Sequence, residues 1–345
     1  MPLNYKTGSR LISVPAGFGW TPSFSIFQLA PNIFSTNIVE RSLRVSTVRN
    51  IYVDIATGSD ANPGTDPNAP KKSIWSAINL GGNDTIYVKE GTYGTANSWS
   101  GITPIQNINV IGVKDFVSLA PGKVISSVTA GTVNGIVTVN VTICVERLVF
   151  IGGFGRAFFF QNGSGSFIDC EFSTSESLNN FEMVGSNAGV THTFYLIRCR
   201  FYNAAGDGIG SSPLGVGETV RFVEIGCHST GNGTTVGTHQ GSSHHGAVFV
   251  IRINGWYTGN RGPQNIADVL TNVKSWNLGV VSFRTTTAGT DTAFYCGDNG
   301  KMWLHGCISG GKLDLQTDNA SGTIYLCDTT YRTSSGPGTI TTYEG

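Results

Sequence analysis

Charge is scarce in this sequence, and what there is balances. Of 345 residues 13% are charged, with 22 Lys and Arg against 22 Asp and Glu and a formal net charge of zero. A chain that holds nucleic acid needs a basic face for the phosphates, so this composition excludes that class of partner. No stretch of 18 apolar residues is present, which leaves nothing to insert into a bilayer as a spanning helix. The first twenty residues contain no charged segment followed by an apolar one, so no secretory leader is expected, and the chain is read as made and folded in a reducing cytoplasm. Also missing are a phosphate-binding loop, a dinucleotide fingerprint, a nucleophile elbow and any C-x-x-C pair. No cofactor, metal or redox centre is therefore expected.

What is abundant is glycine, 46 residues without a G-X-Y period, together with a repeat. Phe167-Ile168-Asp169-Cys170-Glu171-Phe172 returns as Leu196-Ile197-Arg198-Cys199-Arg200-Phe201 and as Val223-Glu224-Ile225-Gly226-Cys227-His228-Ser229, and it is foreshadowed by Val141-Thr142-Ile143-Cys144-Val145-Glu146. The cysteines of these four segments are spaced by 26, 29 and 28 residues. A further step of 29 lands on Trp256, within a segment from Ile253 to Asn260 that parallels Ile225 to Asn232. Looser echoes follow at Trp276, Cys307 and Cys327. Each repeat holds short alternating runs of β-branched and aromatic residues between Gly, Asn and Ser clusters, which is strand-and-turn chemistry; helical periodicity is almost absent. A unit this short cannot bury its apolar face alone, so the repeats must stack as rungs of a β-solenoid. Propeller blades need about 40 residues each and a Trp-Asp signature that is missing. The seven cysteines, Cys144, Cys170, Cys199, Cys227, Cys296, Cys307 and Cys327, follow the rungs. They are expected as a ladder of buried thiols packed as small hydrophobes.

Three segments are expected. Residues 1–50, punctuated by prolines and rich in aromatics, form an N-terminal extension too apolar for a disordered tail. It is read as a cap over the solenoid mouth or as a docking element. Residues 51–330 form the solenoid, and residues 331–345 a short Ser/Thr/Gly tail. The solenoid opens with Ile51-Tyr52-Val53-Asp54, the turn-rich Thr57 to Thr65, a short helix from Ile74 to Asn79 capped by Ser73, and Asp84-Thr85-Ile86-Tyr87-Val88-Lys89-Glu90-Gly91-Thr92-Tyr93. This stretch resembles the entry module of the right-handed parallel β-helix proteins of the pectate-lyase-like superfamily. The resemblance implies an all-β, right-handed, single-stranded parallel β-helix with one short capping helix, and it says little about activity.

Rungs stacked ~4.8 Å apart turn equivalent positions into columns. One outward column is expected to hold Glu171, Arg200, His228 and Tyr257, and its neighbour Asp169, Arg198 and Gly226. These read as a surface charge ladder that keeps register, or as a polar face toward carbohydrate or another subunit. Chemistry is sought near the longest rung, where Thr230 to Ser243 inserts a loop and four of the six histidines fall. If Gly206-Asp207-Gly208, His245 and Ala267-Asp268-Val269 open the same sheet in successive rungs, Asp207, His245 and Asp268 form one column. Two carboxylates two rungs apart lie ~9.6 Å from each other, at the upper edge of the ~6.5–9.5 Å that inverting glycosidases use. His245 would polarise the water, Arg252 or Arg261 would pair with a sugar carboxylate, His244 would help bind substrate, and Tyr257 and Trp276 would stack on sugar rings. β-Elimination beside a uronate carboxylate is the alternative chemistry. The same residues also have a purely structural reading, since Asp and Asn beside Gly at strand entries make turn hydrogen bonds. The group His239, His244 and His245 lacks supporting polar residues and is not read as a metal site.

Three functions follow. The chain resembles phage tailspike or tail fibre proteins, which implies a homotrimer on a virion that binds, and in the enzymatic version cleaves, a bacterial surface polysaccharide. Other virion proteins would then be held through residues 1–50, and outward Phe158, Phe159 and Phe160 would be buried between subunits. The second is a structural virion protein without chemistry, such as a capsid decoration or head fibre. The third is a secreted polysaccharide lyase or glycoside hydrolase.

Overall fold

The computed structural model describes residues 43–342 apart from 130–133, 153–155, 174–178, 186–188, 213–218, 234–240, 247, 261–263, 270–272, 284–291, 298, 311–312, 318–320, 332–333 and 336–337. The chain divides into two compact units, Met1–Arg44 and Val45–Gly345. Nearly all of the first, and with it the expected extension, lies outside the described residues.

The second unit is a right-handed parallel β-helix. A complete rung contributes one strand to each of three parallel sheets, which among the described residues hold 12, 9 and 9 strands, the first sheet running past the other two. The rung of Ser164–Ile168, Glu171–Ser173 and Phe181–Met183 shows the order: first sheet, second sheet, third sheet, then back to the first at Thr191–Ile197. The entry module forms as its residues predict. Ser73 caps the helix Ile74–Ile78, its side chain accepting from the Ser76 amide at 3.3 Å, and Ile74, Ala77 and Ile78 are buried. At the other end the coil runs on into the expected tail. Thr339–Thr342 pairs with Thr323–Cys327, and Ser334–Ser335 pairs with Leu315 and Gln316. Low hydrophobicity hid these strands: of Thr339–Thr342 only Ile340 is apolar, and it packs against the core.

The chain passes from the first sheet to the second through a single left-handed residue in rung after rung. Arg147, Asp169, Arg198, Gly226, Asn254, Gly279, Gly306 and Asp328 occupy this corner with φ between 47° and 61°. The next residue points inward, at Leu148, Cys170, Cys199, Cys227, Val280 and Cys307, all buried. The expected thiol ladder is therefore real at Cys170, Cys199, Cys227 and Cys307; Cys296 ends the third-sheet strand Thr292–Cys296 and Cys327 ends the first-sheet strand Thr323–Cys327, so neither belongs to it, and two earlier positions differ as well. Cys144 sits mid-strand in Thr142–Glu146, opposite Ser166, and Leu148 takes its place in the ladder. Trp256 is not a ladder residue either: it pairs with His228 and faces solvent at 53% exposure. The inward position is Gly255, and the Tyr257 ring fills it, 2.7 Å from where a Cβ would stand. The step from Cys227 is 28 residues, not 29, and in a strand an error of one inverts every side chain. No disulfide joins any of the seven cysteines, and six of them are buried.

Aromatic columns fill the interior. Phe150, Phe172 and Phe201 stack at 5.4 and 5.0 Å on the second sheet, and Phe194 and Phe222 at 5.1 Å on the first. Phe158 and Phe160 belong to this core, fully buried. Only Phe159 faces out, under the Arg156 guanidinium at 4.5 Å. The expected outward Phe158-Phe159-Phe160 patch does not exist, because alternation sends two of the three inward.

Candidate functional site

The column expected from Asp207, His245 and Asp268 does not form. Ile209 pairs with Ser242, and Ser242 with Ile266, so Asp268 stands opposite His244 and Ser211 while His245 stands opposite Val269. The position equivalent to Asp207 two rungs on is Gln264, four residues before Asp268 in the strand Gln264–Val269. At ~3.3 Å per residue and ~4.8 Å per rung, that offset puts the two positions about 16 Å apart, too far for a carboxylate pair flanking one glycosidic bond. Asp207 is a buried turn residue whose amide donates to Asn179 Oδ1 at 2.7 Å. His245 is half-buried on the outer face, 2.9 Å from the Ser243 hydroxyl. The side chain of Asp268 and all of Arg261 and His239 lie outside the described residues.

Three of the expected substrate-binding residues point into the coil instead. Glu224, Arg252 and Asn277 occupy one inward column of the first sheet, between Leu196 and Leu304. Arg252 Nε lies 3.6 Å from Glu224 Oε1, and its terminal nitrogens donate to Asn277 Oδ1 at 3.2 Å and to the Ser242 hydroxyl at 3.0 Å. His244 crosses from the third sheet, with Nε2 3.2 Å from Glu224 and Nδ1 2.7 Å from the Ser211 hydroxyl. The Tyr257 hydroxyl donates to Glu224 Oε2. Glu224, His244, Arg252 and Tyr257 are all fully buried. Burial pushes the Glu224 carboxyl up, but Arg252, His244 and Tyr257 outweigh it and hold the group below its ordinary range. Burial, reinforced by the Glu224 charge, pushes the Tyr257 phenol far up. This is a charge-compensated plug across the interior, with no face open to a polymer. It separates a large apolar cluster that ends at Val250 and Val273 from a smaller one that begins at Tyr257. Glu224 was not foreseen, although its inward phase could be read from Val220 and Phe222 on the same strand face.

Trp276 does lie on the outer face, but its ring is committed. It stacks on Trp303 at 4.4 Å and 5°, and Trp303 on Tyr325 at 5.0 Å and 12°. Rungs ~4.8 Å apart bring identical columns of rings face to face, so the ladder shows solvent mainly ring edges. A sugar that stacks on an aromatic needs a free face.

An open site lies on the corner between the first and second sheets. Arg198, Arg200, Gly226, Cys227, His228, Asn254 and Trp256 line a groove of about 280 Å³. Arg200, His228 and Trp256 stand on three successive rungs in one outward column. This is the column expected from the sequence, with Trp256 in the place assigned to Tyr257. Arg198 is occupied, gripping Asp169 with two bonds of 2.7 Å. Arg200, His228 and Trp256 make no side-chain hydrogen bond or ion pair with the described residues. Burial, with the Arg200 charge added, holds the His228 imidazole below its ordinary value, so near neutral pH the ring is uncharged and can accept a proton. One rung below Arg200, Glu171 is paired with Lys123 at 3.0 Å. The groove thus offers a guanidinium, a neutral imidazole and an exposed indole in a line.

No family model matches the sequence, and no curated protein matches it. Among solved structures the chain is similar to pectate lyase Pel9A, with a TM-score of 0.48 and 14% identity over 88% of this chain and 78% of that one. It is similar to a rhamnogalacturonan lyase with a TM-score of 0.44 and 15% identity over 81% and 73% of the two chains. A GH136 lacto-N-biosidase from Eubacterium ramulus gives 0.36 and 11% over 85% and 68%. At these identities the likeness concerns the path of the chain, and the groove has to be read from its own side chains.

Proposed function

We propose that the chain is a virion protein of the tailspike or tail fibre kind that binds an anionic bacterial surface polysaccharide through the groove of Arg200, His228 and Trp256. The observation that carries the binding assignment is the line of three outward-facing recognition groups whose side chains make no hydrogen bond or ion pair with the described residues. A guanidinium pairs with a sugar carboxylate, an exposed indole covers the apolar face of a pyranose, and successive rungs repeat such contacts along an extended polymer. The groove is a little smaller than the ~300–1,000 Å³ of enclosed small-molecule sites, which suits a shallow subsite crossed by one residue of a longer chain. The virion setting, trimeric assembly and docking through residues 1–50 belong to the same proposal and rest on the resemblance of the entry module and on cysteines that form no disulfide.

One observation favours a second reading, cleavage by β-elimination. A neutral His228 beside a carboxylate-neutralising Arg200 has the properties of a base for the proton α to a uronate carboxylate. The proton would pass to the imidazole, the C5–H electrons would form the C4–C5 double bond, and the C4–O bond would break to release the leaving sugar oxygen, which takes up a proton from solvent.

Titration calorimetry with a soluble uronate- or sialate-bearing polysaccharide, against a neutral glucan, tests both. Arg200→Ala should weaken binding by roughly 10- to 100-fold, as expected for a hydrogen bond to a charged group, and Trp256→Ala by roughly 10-fold. His228→Ala should keep most of the binding and abolish formation of the ultraviolet-absorbing unsaturated product. Equal affinity for acidic and neutral polymers, or for wild type and Arg200→Ala, would sink the groove assignment. Binding without unsaturated product in wild type would leave a receptor-binding protein without lyase chemistry.

A further inference from the structure

Near the C-terminal end of the coil one outward column changes its chemistry. Beside the corner, the last first-sheet position of each rung is aliphatic through Ile168, Ile197, Ile225, Ile253 and Leu278, in continuous register. The next two rungs replace the aliphatic residue with His305 and Cys327. In the last of these rungs the left-handed corner residue is Asp328, φ 47°, where the three preceding rungs use Asn254, Gly279 and Gly306. The ligand atoms of His305, Cys327 and Asp328 all lie within 4.8 Å of one another, and among the described residues no other group of three metal-ligating side chains comes so close. Cys327 is also the one cysteine of seven that is not buried. Six thiols are used as packing, and the seventh is placed at the surface between an imidazole and a carboxylate.

We propose that His305, Cys327 and Asp328 form a zinc site that clamps the last rungs of the solenoid together. A thiolate, an imidazole and a carboxylate are the donor set of a borderline-soft, tetrahedral cation, and they leave the fourth position for water. Bonds of about 2.0–2.3 Å place tetrahedral ligands roughly 3.3–3.8 Å apart, and Cys327 Sγ and Asp328 Oδ2 already stand at 3.9 Å. His305 and Asp328 are exposed, so the remaining adjustment is a rotamer change on the surface. The backbone beneath is held independently. The Gly306 amide donates to the Cys327 carbonyl at 3.0 Å, and the Thr329 hydroxyl donates to it at 3.1 Å. The cation would join Lys301–His305 to Thr323–Cys327, and the latter strand carries the final strand Thr339–Thr342. Sequence spacing gives no hint of the site, because His305 is a full turn of the coil away from Cys327 and Asp328.

Titration of the reduced, full-length protein with Co²⁺ reads the site directly. One equivalent should bind with a near-ultraviolet thiolate-to-cobalt charge-transfer band and the visible bands of a tetrahedral ion, and Zn²⁺ should displace it. Cys327→Ser should remove the charge-transfer band, and His305→Ala, at an exposed position that leaves the fold alone, should weaken binding at least 10-fold. Zn²⁺ should raise the melting temperature of wild type and not of His305→Ala. A folded wild type without the charge-transfer band, a band that survives in Cys327→Ser, or unchanged affinity in His305→Ala would each overturn the proposal.

Discussion

The corner residue carries much of the information in each rung. A left-handed conformation costs an L-residue roughly 1–2 kcal/mol, yet Asp169 and Arg198 both adopt it, at φ 53°. Their two-bond ion pair across the rungs offsets part of that cost; being partly exposed, it is worth at most about 1 kcal/mol. Gly226 follows in the same column, where nothing but Arg198 Cγ, at 3.6 Å, would meet an added Cβ. The constraint at Gly226 is therefore backbone conformation and not space. Gly226→Val should lower stability by about 1–2 kcal/mol, while Gly226→Asn should cost less than about 1 kcal/mol, since Asn tolerates this region. Urea denaturation midpoints check both, and equal losses would contradict a conformational cause. The same scale shows why Trp256 escaped the sequence reading: its neighbours on either side are fully legible, but a spacing of 29 in place of 28 moved the outward assignment onto Tyr257.

At the scale of elements, the strands Thr219–Ile225 and Val248–Ile253 carry Glu224 and Arg252 into the coil and build the plug between them. A buried ion pair is weak evidence of stability, but breaking one from a single side is costly. Arg252→Leu should destabilise the fold by about 3–5 kcal/mol, and the paired change with Glu224→Leu should recover a large part of it. The plug also predicts a pH dependence. The folded Glu224 carboxyl titrates below its unfolded value, which is about 4.3. Its contribution is therefore fully present above that value and is lost as the pH falls through the folded one. Urea midpoints at neutral pH and at increasing acidity should show the gap between wild type and Glu224→Gln closing only on the acid side. A gap independent of pH would mean that Glu224 is not charged in the native state.

For the whole molecule, the consequence is a solenoid whose apolar core is divided. The larger cluster runs from Ile51 to Val250 and Val273, and the smaller from Tyr257 to Leu326. Stability in a solenoid is close to a sum over rungs and their interfaces, so an interface crossed by polar side chains is where cooperativity is weakest. Native-state hydrogen exchange should show the strands from Lys274–Leu278 onward opening together, at a lower free energy than the strands from Asp84–Lys89 to Thr219–Ile225. Uniform protection along the coil would argue that the plug transmits cooperativity as well as the apolar rungs do.

The sequence by itself determined the architecture. Short alternating runs at a period near 28 residues leave stacking as the only way to bury their faces, and the entry module from Ile51 to Tyr93, the Ser73-capped helix and most of the thiol ladder could be placed by number. It also put Glu171, Arg200 and His228 in one outward column. Only the tertiary structure decided phase and register: that Arg252, His244 and Tyr257 point inward to Glu224, that Asp268 stands opposite His244 and not Asp207, and that Trp256 completes the groove with Arg200 and His228. The reason is that loops between strands vary in length from rung to rung. Counting along the chain accumulates an error, and in a structure of period two an error of one residue exchanges the core for the surface.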